Sequence, residues 1–475
     1  MRWYGYNEYL VNWENDGFEI KNNIKPNGLK AASVRSESLY FKKLITWSAV
    51  TSGSFSCRLC EGGSLFDSGG SSIDVRGETL YILGILNSVI GQFYLDISNA
   101  TINYQPGDIA GIPVVFPNGN EPTLQIEECV RLAHKDWDSY ETSWDFQRHP
   151  LLRPVASLPD AYTAWRDECE QRFLQLKANE EELNRIFIDI YGLQDELTPE
   201  VADKDVTVHR VFDTKDDVPE SMQSSNYVRT KRDEIVSLLS YAVGCMFGRY
   251  SLDIDGLAYA GGDWDADKYK TFLPDRDGIL PITDEEYMED DIVSRLCDWL
   301  KAAYGADTLE ENLDFIAGAL GGKGNSSREI IRNYFLKDFF KDHCKTYQKR
   351  PLYWLFDSGK QNGFKALIYL HRYTPDTIGN LRVDYLHKMQ RVYESEIGRM
   401  QDMIDHSTNA REVAASTKRK EKLQKQLKEC REYDEMIAHL ALSRIELDLD
   451  DGVKVNYEKI QTASDGKKYA VLAKI

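Results

Sequence analysis

The chain has 475 residues, 28% charged and 42% hydrophobic, with 58 Lys and Arg against 77 Asp and Glu for a formal net charge of −19. Its length points to about three domains, and its composition excludes a disordered tail protein and a membrane protein. The acidic balance excludes a uniformly basic nucleic-acid coat, so any contact with phosphate has to come from local basic surfaces.

The start, Met1-Arg2-Trp3-Tyr4, shows no basic region followed by an apolar one. The longest apolar-leaning stretch, Ile235 to Phe247, contains Ser and Gly and falls well short of the ~20 residues needed to span a bilayer, so it reads as a buried helix. The eight cysteines are dispersed. With no secretory leader, reduced thiols in the cytoplasm are expected, with no membrane partner.

In chain order, residues 1 to about 120 read as β-rich. Leu44-Ile45-Thr46-Trp47 and Phe55-Ser56-Cys57-Arg58-Leu59 alternate at strand period, and Gly53, Gly62, Gly63, Gly69 and Gly70 punctuate them as turns. Leu83, Leu86, Ile90, Phe93 and Ile97 predict a helix from about 78 to 97. Asn103 to Ile109 reads as an extended segment closed by a turn. From 160 to 250 helical stripes dominate, such as Trp165, Cys169, Phe173 and Leu176. Residues 252–314 hold eighteen acids and five bases, a net of −13, whereas 323–372 hold eleven bases and four acids, a net of +7, interleaved with aromatic residues. Two long helices follow from 384 to 444 as a hairpin turning near Asp405 to Asn409. Asp451-Gly452, between Leu447/Leu449 and Val453/Val455/Tyr457, predicts a terminal β-hairpin. The fold class is α+β: a mixed β-rich N-terminal domain, then a mainly helical region with a helical hairpin and the terminal β-hairpin. The expected segments are 1–125, 126–250, 251–383 and 384–475.

Catalytic and metal motifs fail one by one. Cys57-x-x-Cys60 lacks the second ligand pair that a structural zinc needs. Asp263, Asp265 and Asp267 open like a calcium loop, but Lys268 and Pro274 stand where Gly and Glu are required. Gly318 to Gly324 lacks the Ser or Thr after Lys323 that a phosphate loop uses. No catalytic residue and no metal ligand is expected.

Binding residues remain. Lys42, Lys43 and Arg58 are candidates for phosphates, and Trp47, Phe55, Asn103 and Gln105 for reading or packing against bases. Ser52, Ser54, Ser71 and Ser72, in Gly-punctuated turns, offer donors where a duplex could approach closely. In the basic block, Lys349, Arg350, Lys360, Lys365 and Arg372 are candidates for phosphates. Taken singly, each lysine also fits plain surface, and Trp47 and Phe55 fit core.

These blocks carry a family resemblance. Leu44 to Ser48 with Ser52 to Ser56, Leu65-Phe66-Asp67 before Gly69-Gly70-Ser71, Leu83 to Ser88, and Thr101 to Ile109 with Ile112-Pro113 resemble the target-recognition domain that follows the catalytic domain in large adenine-specific DNA methyltransferases. Arg350 to Lys360, Gly363 to Ala366, Tyr369 to Tyr373, Gly256 to Trp264 and Asp450 to Tyr457 resemble the C-terminal half of the PglX family, the methyltransferases of bacteriophage exclusion (BREX) systems. The resemblance implies double-stranded DNA and other BREX defence proteins as partners, with a phage DNA-mimic inhibitor as a competitor for the basic surfaces. It also implies S-adenosylmethionine as cofactor of a methyl-transfer domain. Here the chain departs from the family: its 14 prolines include no Pro-Pro pair for an Asn-Pro-Pro-aromatic motif, and no Asp-x-x-x-Gly-x-Gly turn is present. The expectation is a C-terminal portion that binds no cofactor, is inactive alone, and reads and clamps DNA. The alternative is a helical scaffold over 160–444 that docks other defence proteins.

Overall fold

The computed structural model describes residues 1–475 apart from 52, 68, 76, 100 and 118–121. It is α+β with a helical majority, as expected. The chain divides into two compact units: unit 1 is Met1–Phe146 with Thr163–Lys231, and unit 2 is Gln147–Tyr162 with Arg232–Ile475.

Unit 1 is built on an antiparallel sheet of β1 (Leu44–Ser48), β2 (Cys57–Cys60) and β3 (Gly70–Ile73) in the order β2-β1-β3. Strand alternation sorts the side chains. Ile45 and Trp47 face the core with Cys57 and Leu59, while Thr46 and Ser48 point the other way with Arg58 and Ser72. The helix expected at 78–97 is instead two, α1 (Thr79–Asn87) and α2 (Val89–Ser98), bent by 69°. The break falls at Ser88, whose backbone is extended and whose hydroxyl accepts from the Ile90 N–H to cap α2. Leu83, Ile85, Leu86, Ile90 and Leu95 all enter the core. Among the described residues no single helix is long and apolar enough to cross a membrane, although this bent pair is by length and composition. Gly84 allows α1 to approach α3 (Thr123–Trp137), because a Cβ there would lie 2.5 Å from Ile126 Cδ1.

The helix α4 (Leu158–Tyr191) adds Phe173, Leu176, Leu183 and Phe187 to the same core. Asp136 of α3 is fully buried and pairs with Arg172 at 2.9 Å and with His209 Nδ1 at 2.7 Å. Burial favours its neutral form, yet His209 and Arg172 hold its carboxyl below the usual range. His209 leads into β4 (Arg210–Phe212), which runs parallel to β5 (Val228–Thr230).

Unit 2 contains α5 (Lys231–Phe247) from Arg232 onward, buried through Ile235 to Phe247 except at its half-buried Val236 and Ser237. After β6 (Ile279–Pro281) come α6 (Ile292–Tyr304), α7 (Leu309–Leu320), α8 (Ser327–Lys337) and α9 (Phe339–Thr346). Asp291 caps α6 through the Val293 and Ser294 N–H groups and takes both arms of Arg332 at 2.6 and 2.8 Å. The strands β7 (Tyr353–Asp357) and β8 (Lys365–Tyr369) complete an antiparallel sheet in the order β6-β8-β7. The helical hairpin is present as α10 (His387–His406) and α11 (Ala410–Ser443), preceded by a π-helical stretch, Leu381–Leu386. Met389, Tyr393 and Met400 join Leu423, Leu427, Cys430 and Ile437 in one core.

The terminal β-hairpin does not form. A 3₁₀ turn, Leu449–Asp451, leads through Gly452 (φ +81°) into α12 (Val453–Lys459). The Asp448 carboxylate accepts from the Asp450 N–H, and the buried Asn456 amide bonds back to the Asp448 and Gly452 carbonyls, which fixes a helical turn where Val453, Val455 and Tyr457 had suggested strand period. The C-terminal segment instead lies along β7, with Asp357 N–H on the Val471 carbonyl at 3.0 Å and Ala473 N–H on that of Leu355 at 2.8 Å.

Candidate nucleic-acid interface

Three loops of unit 1 converge at the end of β1. Ala49 N–H donates to the Gly69 carbonyl at 2.9 Å, Tyr104 N–H to that of Ala49 at 2.7 Å, and Thr51 N–H to that of Ile102 at 3.1 Å. Asp67 holds the Gly69 and Gly70 N–H groups at 2.8 and 3.0 Å. On the other side, the Asn99 amide bridges the Asn103 carbonyl at 2.8 Å and Asp108 at 3.0 Å, and Asp108 also takes the Gln105 N–H at 2.8 Å. The Gln105 and Asn103 side chains are bonded at 2.6 Å. These bonds tie two exposed amides to a short loop, next to Val50 and Ile102, which are 61% and 60% exposed. Amides held in this way can offer paired donor and acceptor atoms to a base edge.

The sequence-predicted residues separate here. Asn103 and Gln105 stand together on the rim, Ser54 is exposed on the turn between β1 and β2, and Ser72 lies on the outward face opposite Thr46. Ser71 pairs with Trp47 and shares its face. Ser52 lies outside the described residues. Trp47 is 1% exposed, and its Nε1 donates to the Tyr104 carbonyl at 3.0 Å. Phe55 is buried beside it, 5.0 Å from the Tyr104 ring. Both belong to the core and pack against Tyr104, which lies between Asn103 and Gln105 in the chain. Arg58 is also withdrawn: it is 5% exposed, donates to Ser48 Oγ and lies under the Tyr6 ring. Lys42 is exposed, and Lys43 is exposed and paired with Glu61 at 2.9 Å.

The basic-aromatic block of unit 2 divides in the same way. Lys365 is 8% exposed, paired with Asp357 at 3.1 Å and bonded to the Leu336 carbonyl. Arg372 donates to the carbonyls of Asp275 and Arg276, both at 2.7 Å, with its guanidinium 4.7 Å from the Trp264 ring. Lys365 is thus turned inward, and Arg372 is half-buried and engaged by backbone carbonyls. Lys349, Arg350 and Lys360 are exposed around β7 and β8. Of the interleaved aromatics, Phe335, Phe339, Tyr353, Trp354, Phe356, Phe364 and Tyr369 are buried.

Two carboxylates of the acidic block organise its own backbone. Asp253 accepts from Lys270 and Thr271 N–H, and Asp275 from Asp277, Gly278 and Ile279 N–H. Burial and then the adjacent Asp277 push the Asp275 carboxyl up to about 7. Among the described residues one group could hold a metal ion, His134, Asp138 and Asp145, in which His134 Nε2 lies 2.9 Å from an Asp138 carboxylate oxygen. Cys57 is buried and Cys60 half-buried three positions apart on β2, so the two point to opposite faces, against a shared metal. A further cationic surface, hidden in a block-by-block sum of charge, is the first half of α11. There Arg411, Lys418 and Lys425 are exposed on one stripe, legible as the run Lys418-Arg419-Lys420 with Lys422 and Lys425 at helical spacing.

The chain is similar to two adenine-specific methyltransferases. It is 42% identical, over 97% of its length, to the adenine-specific methyltransferase PglX of Lacticaseibacillus casei (strain Zhang). It is 35% identical, over 96% of its length, to the adenine-specific methyltransferase BrxX of Escherichia coli O9:H4 (strain HS). It spans 38% of the length of each. No protein-family model matches the chain.

Proposed function

We propose that this chain reads and clamps double-stranded DNA as part of an adenine-specific, S-adenosylmethionine-dependent methyltransferase of a BREX phage-exclusion system. The observation that carries the reading is the similarity, almost from end to end, to two proteins named adenine-specific methyltransferases, in a chain that has none of the motifs of methyl transfer. The cofactor and the flipped adenine belong, on this reading, to the part of the relatives that the chain does not span.

Asn103 and Gln105 read base edges in the major groove, with Ser54 and Ser72 as nearby hydroxyl donors. Lys42 and Lys43 in unit 1, and Lys349, Arg350 and Lys360 in unit 2, contact phosphates. Other BREX proteins dock away from DNA, on the acidic segment 252–314, and a DNA-mimic inhibitor takes the cationic surfaces. The test is a salt titration of duplex binding by the 475-residue chain and by its Lys349→Glu/Arg350→Glu/Lys360→Glu variant. The log–log slope should become shallower by about 0.9 for each phosphate that the variant no longer neutralises. An unchanged slope contradicts the clamp.

A further inference from the structure

The helix α3 ends on two metal-type donors one turn apart. His134 lies in its last turn and Asp138 just past its end, and the i, i+4 spacing puts both side chains on one face. His134 Nε2 is 2.9 Å from Asp138 Oδ2. Asp145, on the loop beyond the helix, adds a second carboxylate, so that three donor atoms lie within 4.8 Å of one another. Two ligands each about 2.0–2.2 Å from one ion sit about 3–3.4 Å apart, so the His134 and Asp138 atoms are already spaced as neighbouring ligands. A modest rotation of the exposed Asp145 side chain closes the set.

The surroundings orient these groups. The buried Ser143 gives its hydroxyl proton to Asp138 Oδ1 at 2.6 Å and accepts the Asp145 N–H at 3.2 Å. One residue thereby ties both acidic positions and leaves Asp138 Oδ2 facing the imidazole. The Tyr4 ring lies 4.0 Å from the His134 ring and holds its plane. Negative charge collects here: burial, and less strongly the Asp145 charge, raises the Asp138 carboxyl, and burial followed by these two carboxylates pushes the Tyr4 hydroxyl up to about 12. The cluster is open to solvent, with the His134 side chain 45% exposed and that of Asp138 22%, so an ion can enter and keep water at its remaining positions.

We infer that His134, Asp138 and Asp145 bind one divalent transition-type cation, such as Zn²⁺, with water completing its coordination. The imidazole decides the class: nitrogen beside carboxylate suits Zn²⁺ and similar ions, whereas Mg²⁺ and Ca²⁺ favour oxygen ligands. The ion braces the chain, joining the end of α3 to the loop that precedes Phe146, with which the first stretch of unit 1 ends. Ser143 is a positioning residue that acts through Asp138. The site is independent of the DNA reading.

The experiment is calorimetric titration of the chelator-treated 475-residue chain with Zn²⁺ in excess Mg²⁺, alongside thermal unfolding and the absorption spectrum of the Co²⁺-loaded chain. One saturable Zn²⁺ site is expected, with a melting temperature that rises with Zn²⁺ and a Co²⁺ spectrum free of a thiolate charge-transfer band. Ser143→Ala should weaken Zn²⁺ binding by about 10–100-fold. His134→Ala and Asp145→Asn, whose side chains reach solvent, should weaken it at least as much while the fold, followed by circular dichroism, is kept. Equal Zn²⁺ binding by these two folded variants overturns the inference. If either variant fails to fold, the unmodified chain decides: no saturable binding, binding at millimolar Zn²⁺ only, or a thiolate band that puts the ion on cysteine each overturns the site.

Discussion

The loop rim of unit 1 and the basic-aromatic block of unit 2 are the two regions whose composition suggests DNA, and they realise that suggestion in opposite ways. On the rim the polar side chains reach solvent, while the aromatic residues between them, Trp47 and Phe55, form the floor that holds the loops. In the block the aromatic residues again form the core, but two of the cations are engaged by the protein itself: the buried Lys365 by Asp357, and the half-buried Arg372 by backbone carbonyls. A net charge of +7 along a sequence is therefore not a charge of +7 on a surface. The cations that count for phosphate are those left at the surface, and burial selects them.

That contrast can be broken most forcefully at its interior members. Asp291→Ala should leave Arg332 buried and uncompensated and remove the cap of α6, at a cost of about 3–5 kcal/mol. Lys365→Ala should also destabilise unit 2, whereas Lys360→Ala should stay within about 0.5 kcal/mol. Urea unfolding of the chain, followed by tryptophan fluorescence, separates these outcomes. If Lys360 and Lys365 behaved alike, the division between interior and surface cations would fail.

The acidic segment offers a gentler test. Because the folded state raises the Asp275 pKa to about 7, above the ordinary carboxylate value of 3.8, folding favours the protonated form. Its stabilising contribution is full below the unfolded value and is lost as pH climbs through the folded one. Asp277→Asn removes the neighbouring negative charge, so the variant should lose less stability than the unmodified chain between about pH 4 and pH 7. Parallel curves from denaturant midpoints across that range would contradict the pairing. At the rim, Asn99→Ala removes the amide that ties Asn103 to Asp108 and should cost about 1 kcal/mol. It should loosen sequence preference more than it lowers the unfolding midpoint.

Much of the fold is legible in the sequence where periodicity is strong. β1 and β2 follow from alternation, and α10 and α11 from three-four spacing with polar residues at the turn. The misses share a cause, which is that a local pattern fits two structures and a distant contact decides between them. Asp451-Gly452 fits a hairpin turn, but Asn456 bonds back to Asp448 and closes a helical turn. Trp47 has the same residue type whether it stacks on a base or lies under a loop, and only the Tyr104 carbonyl, 57 positions away, settles it. Lys365 was recoverable in principle: once 353–357 and 365–369 are read as paired strands, Asp357 falls opposite Lys365.

The central claim is that the rim of unit 1 reads sequence while cations elsewhere supply affinity. Selection of duplexes from a random pool by the 475-residue chain tests this directly, with the Asn103→Ala/Gln105→Ala variant run in parallel. The account predicts that a short motif is enriched by the unmodified chain, and that the variant loses the enrichment while still binding duplex at low salt, at about 1–3 kcal/mol of discrimination for each amide–base pair removed. Enrichment of the same motif by both proteins, or of none by either, would contradict it.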